Sequence, residues 1–461
     1  MFGCGGVAGF RIYYVFIAIV VASSLAFSIY IHFPYPLNRD VFGNTGFLYS
    51  DIVYGVFVPR FLDVVSPFGS LDDSKISGYW YSREVVLKLV SGNIDVFSCP
   101  APYRDYKFEY PPLTALIWYF STCTSFLYVY KFVGVPKNPL DYRSLVSNYV
   151  IPIHFAIQSA VLAVSAILMA IYMIRIAKAV GSSWSRVLIF FVLPSTVIYM
   201  IYNWDVLTAS LVVIAVYELI NERYGVGGAL LGLATSAKLI PLFAVIAIGY
   251  DMLQKSLRKE IGYEKITSFA TGFTLFGAAP YMVVAAFFSK GFSDFVNHHM
   301  TWYCENCLYL PIVHDIYNPI HRILFYTLAT IFMLLVMTVE ISNWRKLVEV
   351  SLQAIATGIV FNYIFSPQMI LLITPLALLA IPKTLIAPYI FADAASASII
   401  LMFFKDQEIR QAIAKYVEIP VKFSPWTIDS PVQWVATIRN AILLAAYIIQ
   451  LYLLIKQQSS E

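Results

Sequence analysis

Charge is what this sequence has least of. Asp, Glu, Lys and Arg make up 13% of its 461 residues, about half the share found in an ordinary soluble domain. A chain so poor in charge cannot cover a water-facing globule, and its 59% hydrophobic content points instead to an integral membrane protein. Basic patches are also lacking. The net charge is +4 and is spread over loops, so no nucleic-acid partner is expected. Cysteine is scarce, with five residues and a lone CxxC, Cys304-Glu305-Asn306-Cys307. A structural zinc site needs about four ligands, and no second CxxC exists. The pair therefore reads as free thiols or a local disulfide, with Cys99 as the other candidate partner. His298, His299 and His314 keep zinc only as a minor option. A cleavable signal peptide is missing too: the apolar run after Arg11 continues to Ile31, too long for one, and reads as the first span. No low-complexity tract appears, nor the repeated halves typical of transporters.

What is abundant is the apolar run. About twenty such residues cross a bilayer as a helix. Candidate spans are 11–31, 112–131, 148–175, 187–202, 205–221, 225–249, 266–289, 322–342, 348–365, 368–382, 384–404 and 435–456. The fold class expected is an all-α integral membrane protein with about twelve transmembrane helices, ten to thirteen in all. Aromatic residues, 16% of the chain, suit helix ends in interfacial belts. Basic residues in short loops face the cytoplasm. Lys255, Arg258, Lys259 and Lys265 put loop 250–265 inside, and Arg345, Lys346 and Lys456 agree. Loops 32–111, 290–321 and 405–434 then face outside. Arg175, Lys178 and Arg186 conflict with that count, unless 112–131 dips without crossing and 225–252 is a hairpin broken at Pro241.

The loop 32–111 is long for a connection, and long loops tend to be functional. Its segments 47–65 and 79–90 have mixed apolar and polar spacing and read as interfacial helices lying on the membrane. Asp51, in Tyr49-Ser50-Asp51-Ile52, reads either as a general base or as a first-turn carboxylate beside Ser50 that favours the helix dipole. Asp40, Asp63, Asp72, Asp73, Asp95 and Asp105 share its loop. Glu109 precedes Tyr110-Pro111-Pro112, where the chain enters the bilayer; the prolines suit a helix start. A carboxylate there needs a partner, and Arg60, Arg83, Arg104 or Lys107 can supply one. Lys238 lies in an apolar run (227–243). It either snorkels to an interface, pairs with Asp205, or meets a phosphate. His298 and His299 are plain loop residues or bind and relay protons. Ser366-Pro367-Gln368 interrupts two apolar runs and is placed to line a cavity.

These residues, in this order, resemble a known family. The segments are Tyr49–Ile52, Gly92, Pro102-Tyr103, Phe108–Leu113, Asn203-Trp204-Asp205, the run 227–243, and Phe365–Gln368. The chain resembles polyprenyl-phosphate-sugar-dependent glycosyltransferases of the GT-C fold. It is most similar to the polyprenyl-phosphate-mannose-dependent alpha-mannosyltransferases and their archaeal relatives. The similarity runs to about residue 385, is specific over the first 240, and divides the chain into a catalytic module, 1–405, and an outer loop with a last span, 406–461. It implies a multi-pass protein of the cell membrane whose site faces outside. The implied activity is inverting transfer of a hexose, mannose above others, from a polyprenyl- or dolichyl-phosphate sugar to a lipid-linked or glycan acceptor. On this likeness Asp51 is the base. Arg60, Lys238, Tyr103, Glu109 and Tyr110 serve the donor and its phosphate, and Asp205, His298, His299 and Gln368 are secondary. Membrane lipid is the other partner. No metal or other cofactor is required, although the likeness leaves room for a divalent cation. The insert 66–80 and the CxxC loop depart from the family pattern. A secondary transporter is the alternative of another class.

Overall fold

The computed structural model describes residues 5–459, with side chains from residue 13 onward. Cys4 and the side chain of Arg11, which opens the first expected span, lie outside the described residues. Every regular element described is helical; the only β pairing consists of isolated bridges. Among the described residues six helices are long and apolar enough to cross a bilayer: Tyr13–His32, Pro139–Ala179, Tyr263–Phe287, Ile320–Met337, Lys383–Phe403 and Pro431–Gln458. The chain is thus a membrane-embedded, all-helical protein, and these six match six of the expected spans.

The other six expected runs are helical but shorter, broken or more polar, each for a local reason. Pro112–Phe132 is a single helix, yet its Ser121-Thr122-Cys123-Thr124-Ser125 centre lowers its hydropathy. Pro194, which lacks an N–H, divides 187–202 into Ser185–Val192 and Pro194–Tyr199. Asp205–Ile220 and Trp344–Val360 are 16 and 17 residues long. Pro367–Leu372 and Thr374–Ala380 share the run 368–382. The run 225–249 does break before Pro241, into Tyr224–Ala237 and Leu242–Leu257. The second half then packs along Trp344–Val360, while the first packs along Asp205–Ile220 and Tyr263–Phe273.

Trp344–Val360 is the central post. Every residue from Lys346 to Val360 is buried, with helices Leu242–Leu257, Ile320–Met337, Thr374–Ala380 and Pro431–Gln458 around it. Tyr263–Phe287 is peripheral and little buried. It approaches the Tyr224–Ala237 helix so closely that a Cβ on Gly228 would sit 2.1 Å from the Phe269 carbonyl oxygen. Small residues permit that kind of contact between membrane helices.

The conflicting basic turn finds its place here. Arg186 donates to the carbonyls of Leu378 and Ile381 at 2.9 and 2.8 Å, and it is near enough to Arg345 to feel its charge. The 175–186 turn therefore shares an end of the molecule with Arg345, the end assigned to the cytoplasm from sequence.

One expectation for the long loop is corrected. Segment 47–65 does not lie on a surface. It contains the π-helical stretch Asp51–Leu62, in which Ile52, Val53, Phe57 and Phe61 are fully buried. Its mixed pattern suggested amphipathicity, but both faces are covered, by Trp118 and Phe126 among others. Arg83–Val90 does have one buried and one exposed face.

Candidate active site

The Asp51–Leu62 element opens with Ser50 as its cap, whose hydroxyl accepts from the Val53 N–H at 3.4 Å. Asp51 is thus a first-turn acid, and its side chain is also turned onto the wall of a large cavity. The wide i→i+5 turn continues to Pro59 and Arg60. Such turns are rare and recur at functional sites. A Cβ at Gly55 would lie 3.1 Å from the Tyr49 hydroxyl and 3.2 Å from Asp51 Oδ1; the glycine leaves room for both groups.

The cavity has a volume of about 1080 Å³, at the upper end for small-molecule sites. Asp51, Glu109, Tyr110, Lys238, His298 and His299 all line it. Residues 150 or more positions apart in sequence are joined there by the Asn203-Trp204-Asp205 motif. Asn203 Nδ2 donates to Asp51 Oδ2 at 2.8 Å. Trp204 Nε1 donates to Gln158 at 2.9 Å, and its ring packs 4.7 Å from that of Tyr110. Asp205 Oδ1 accepts from Lys238 Nζ at 2.5 Å. One tripeptide therefore positions both the acid and the ammonium. Gln368, reached through Phe365-Ser366-Pro367, donates to Asp51 Oδ2 at 3.3 Å. Asp205 and Gln368 stand one layer behind the wall, each with a buried oxygen that has no partner, Oδ2 and Oε1.

Lys238 owes its position to the helix break. Its backbone is extended (φ −157°, ψ 140°) and caps the Tyr224–Ala237 helix through its N–H to the Ala234 carbonyl. The side chain is 24% exposed, all Asp205 beneath it being buried. The sequence left snorkelling, Asp205 and a phosphate open for Lys238; the structure pairs it with Asp205 and leaves it accessible from the cavity.

Two expected donor residues are not on the wall. Arg60 is buried and spends its guanidinium within the protein: on Glu109, on the Lys107 carbonyl at 3.1 Å and on the Val56 carbonyl at 3.2 Å. It also lies over the Tyr79 ring. Tyr103 is buried, and its hydroxyl donates to the Tyr110 carbonyl. Both shape the Glu109–Pro111 turn from behind. The sequence could not separate wall from backing, because both kinds of residue flank the same motif. Of the four candidate partners for Glu109, Arg60 is the one that pairs with it.

Electrostatics set Asp51 apart. Burial, then the nearby carboxylates Glu305 and Asp205, push its pKa up to about 7, against the opposing pull of Lys238 and the Asn203 amide. Burial lowers His298 and His299 to about 4, so both are neutral near pH 7. His299 Nε2 pairs with the Glu109 carbonyl at 3.0 Å. Lys238 is the one Lys or Arg among the described residues lining the cavity.

Sequence reasoning missed Glu305, Trp302, Tyr303 and Trp426, all on the wall. Cys304 and Cys307 form a disulfide, and Glu305 is held inside that ring. The available signal was an acid enclosed by a CxxC. Cys99 is not part of this bridge and remains a buried free thiol with Cys123. With His321, Cys304 and Cys307 form a close buried group, but His298, His299 and His314 are not in it. Gln433 and Trp426 also bring the 406–461 segment into the cavity, so its contribution reaches the site itself.

No family model matches the chain, and no curated protein matches it.

Proposed function

We propose that this protein is an inverting membrane glycosyltransferase. It moves a hexose, mannose as the first choice, from a polyprenyl- or dolichyl-phosphate sugar to a lipid-linked or glycan hydroxyl. The carrying observation is the joining, in one cavity, of a carboxylate poised near neutrality, a single ammonium and a long apolar arm. That arm runs along Phe325, Ala329, Met333 and Met337 on one helix and Leu242 and Ile246 on another. The twelve steps of helix from Phe325 to Met337 give it a length of about 18 Å, suited to a prenyl chain.

In this reading the Asp51 carboxylate takes the proton of the acceptor hydroxyl, the pKa of about 7 suiting a general base. The hydroxyl oxygen forms a bond to the anomeric carbon from the face opposite the phosphate. The carbon–oxygen bond to phosphate breaks, and polyprenyl phosphate leaves with the electron pair. Lys238 offsets the charge that gathers on the leaving phosphate. Neutral His298 and His299 offer hydrogen bonds there without added charge. The step needs no metal, and a divalent cation is compatible with the three cavity carboxylates.

The site is assigned to the outer face of the cell membrane. Arg345 and Asn362 lie at opposite ends of the Trp344–Val360 helix, about 25 Å long. The basic turns gather at the Arg345 end, and Glu305, Tyr363 and Ser366 line the cavity at the Asn362 end, as the positive-inside rule expects of an outward site.

The test is an assay in lipid nanodiscs with radiolabelled dolichyl-phosphate mannose and a panel of other polyprenyl-phosphate sugars. The reading expects saturable donor binding and release of polyprenyl phosphate. A protein that binds no member of the panel, yet carries a solute across proteoliposomes, is a transporter.

A further inference from the structure

One cluster on the cavity wall, its second arm, is not explained by the donor. It is bounded by Trp302, Tyr303, Glu305, Phe403, Trp426 and Gln433. Its rings are half-buried and are fixed by one another. Trp302 and Tyr303 stack with centroids 5.0 Å apart. Trp426 meets Phe403 and Phe423 nearly edge-on, at 5.4 and 5.9 Å.

Glu305 is held as firmly. Its N–H donates to the Tyr363 carbonyl at 2.9 Å and its carbonyl accepts from the Phe365 N–H at 2.8 Å. The disulfide closes around it. The next carbonyl, of Asn306, accepts from Arg439 and Asn440 at 3.1 and 2.9 Å. Trp302 Nε1 donates to Glu305 Oε2 at 3.0 Å, and the carboxylate remains on the cavity wall. Groups fixed in this way lose little freedom when a ligand arrives.

The chemistry of this arm is specific. It lacks Lys and Arg among the described lining residues, so it is no phosphate site. It is too rich in polar groups for a lipid tail. Aromatic faces match the apolar C–H face of a pyranose ring. A carboxylate takes the hydroxyls on the sugar's rim through charge-assisted hydrogen bonds. We propose that this arm is a carbohydrate subsite, in which Trp302 and Trp426 stack on a hexopyranose and Glu305 accepts from its hydroxyls. Resting on the transferase reading, this makes the acceptor a sugar and delivers its hydroxyl to Asp51, on the same wall.

The test is performed without donor. Wild-type protein in lipid nanodiscs, free of sugar detergents, is titrated with methyl α-mannopyranoside, an α-linked mannotriose and a panel of other hexopyranosides, with tryptophan fluorescence as the readout. Saturable binding is expected. Glu305→Gln, with melting unchanged, and Trp426→Ala should each weaken it by at least about tenfold, roughly 1.4 kcal/mol. Trp426→Phe, which keeps a ring, should recover most of the affinity. No saturable signal with any hexopyranoside, or equal binding by Glu305→Gln and Trp426→Ala, overturns the subsite. The two readings fail separately. Sugar binding by a protein that neither binds nor consumes polyprenyl-phosphate sugars keeps the subsite and removes the transferase. Donor consumption with transfer to a hydroxyl peptide in place of a sugar keeps the transferase and removes the subsite.

Discussion

Two carboxylates on one wall are treated in opposite ways. Glu109 has a buried guanidinium of its own, Arg60, behind it. Asp51 has no cation bonded to it among the described residues: it accepts from the amides of Asn203 and Gln368 and meets the Tyr49 hydroxyl, and it faces two further acids, Glu305 and Asp205. Its nearest ammonium is already engaged by Asp205. A carboxylate with a dedicated cation is a structural anion that fixes a turn. One with amides and like charges around it holds a proton until about neutral pH, and can accept one during a reaction.

That contrast is sharpest in the effect of removing each partner. Arg60→Met deletes the cation of Glu109 and leaves a half-buried charge alone. A loss of about 3 kcal/mol is expected, the low end for breaking a buried pair because Glu109 keeps one face on the cavity. Glu109→Gln in the Arg60→Met background should restore part of it. Denaturant or thermal unfolding in nanodiscs measures both, and an Arg60→Met protein of wild-type stability would remove the distinction.

Lys238 stands between the two cases, shared by Asp205 and the cavity. Lys238→Met should weaken binding of dolichyl-phosphate mannose by about tenfold or more, roughly 1.4 kcal/mol. It should also lower stability, since Asp205 loses its partner, and Asp205→Asn should restore the stability but not the affinity. Unchanged donor affinity in a folded Lys238→Met protein would leave Lys238 with only its structural pair.

How much of this was legible in sequence follows the same division. Asp205, Lys238 and Gln368 stand out at breaks in apolar runs, Glu109 where the chain enters one, and Asp51 and Asn203 through the family resemblance; the structure brings them to one place. Which acid pairs with which base was not legible, since Arg60, Arg83, Arg104 and Lys107 are equivalent by charge and only packing selects Arg60. The six long apolar helices were readable from composition. The breaks at Pro194 and 238–241 are not fixed by hydropathy, which does not register where the backbone turns. Segment 47–65 has the pattern of a helix lying on the membrane because its polar residues, Ser50, Asp51 and Arg60, are satisfied inside the protein rather than by water. The wall from Trp302 to Glu305 and Trp426 was invisible, because aromatic residues are everywhere in this chain.

A smaller effect tests the setting of Asp51 by pH. The pKa of Asp51 is about 7 in the folded protein and about 3.9 in an unfolded chain. The folded state therefore holds a proton that the unfolded state has released. The stabilisation this gives is complete below about pH 4 and is lost as pH rises through 7. Asp51→Asn should match wild-type stability near pH 4 and exceed it by about 1 kcal/mol at pH 8, well under the full linkage because the group borders cavity water. Melting curves at the two pH values measure the difference. Equal curves at both would place the Asp51 pKa in the ordinary range.

The central claim is that Asp51 is the base, and one comparison tests it most directly. Turnover of dolichyl-phosphate mannose is measured for wild-type and Asp51→Asn protein alongside donor affinity. The account predicts unchanged affinity and a fall in turnover of at least about a hundredfold, the lower range for lost general-base catalysis. Near-normal turnover by Asp51→Asn would contradict it and transfer the role to another acid of the same loop, Asp63 or Asp105.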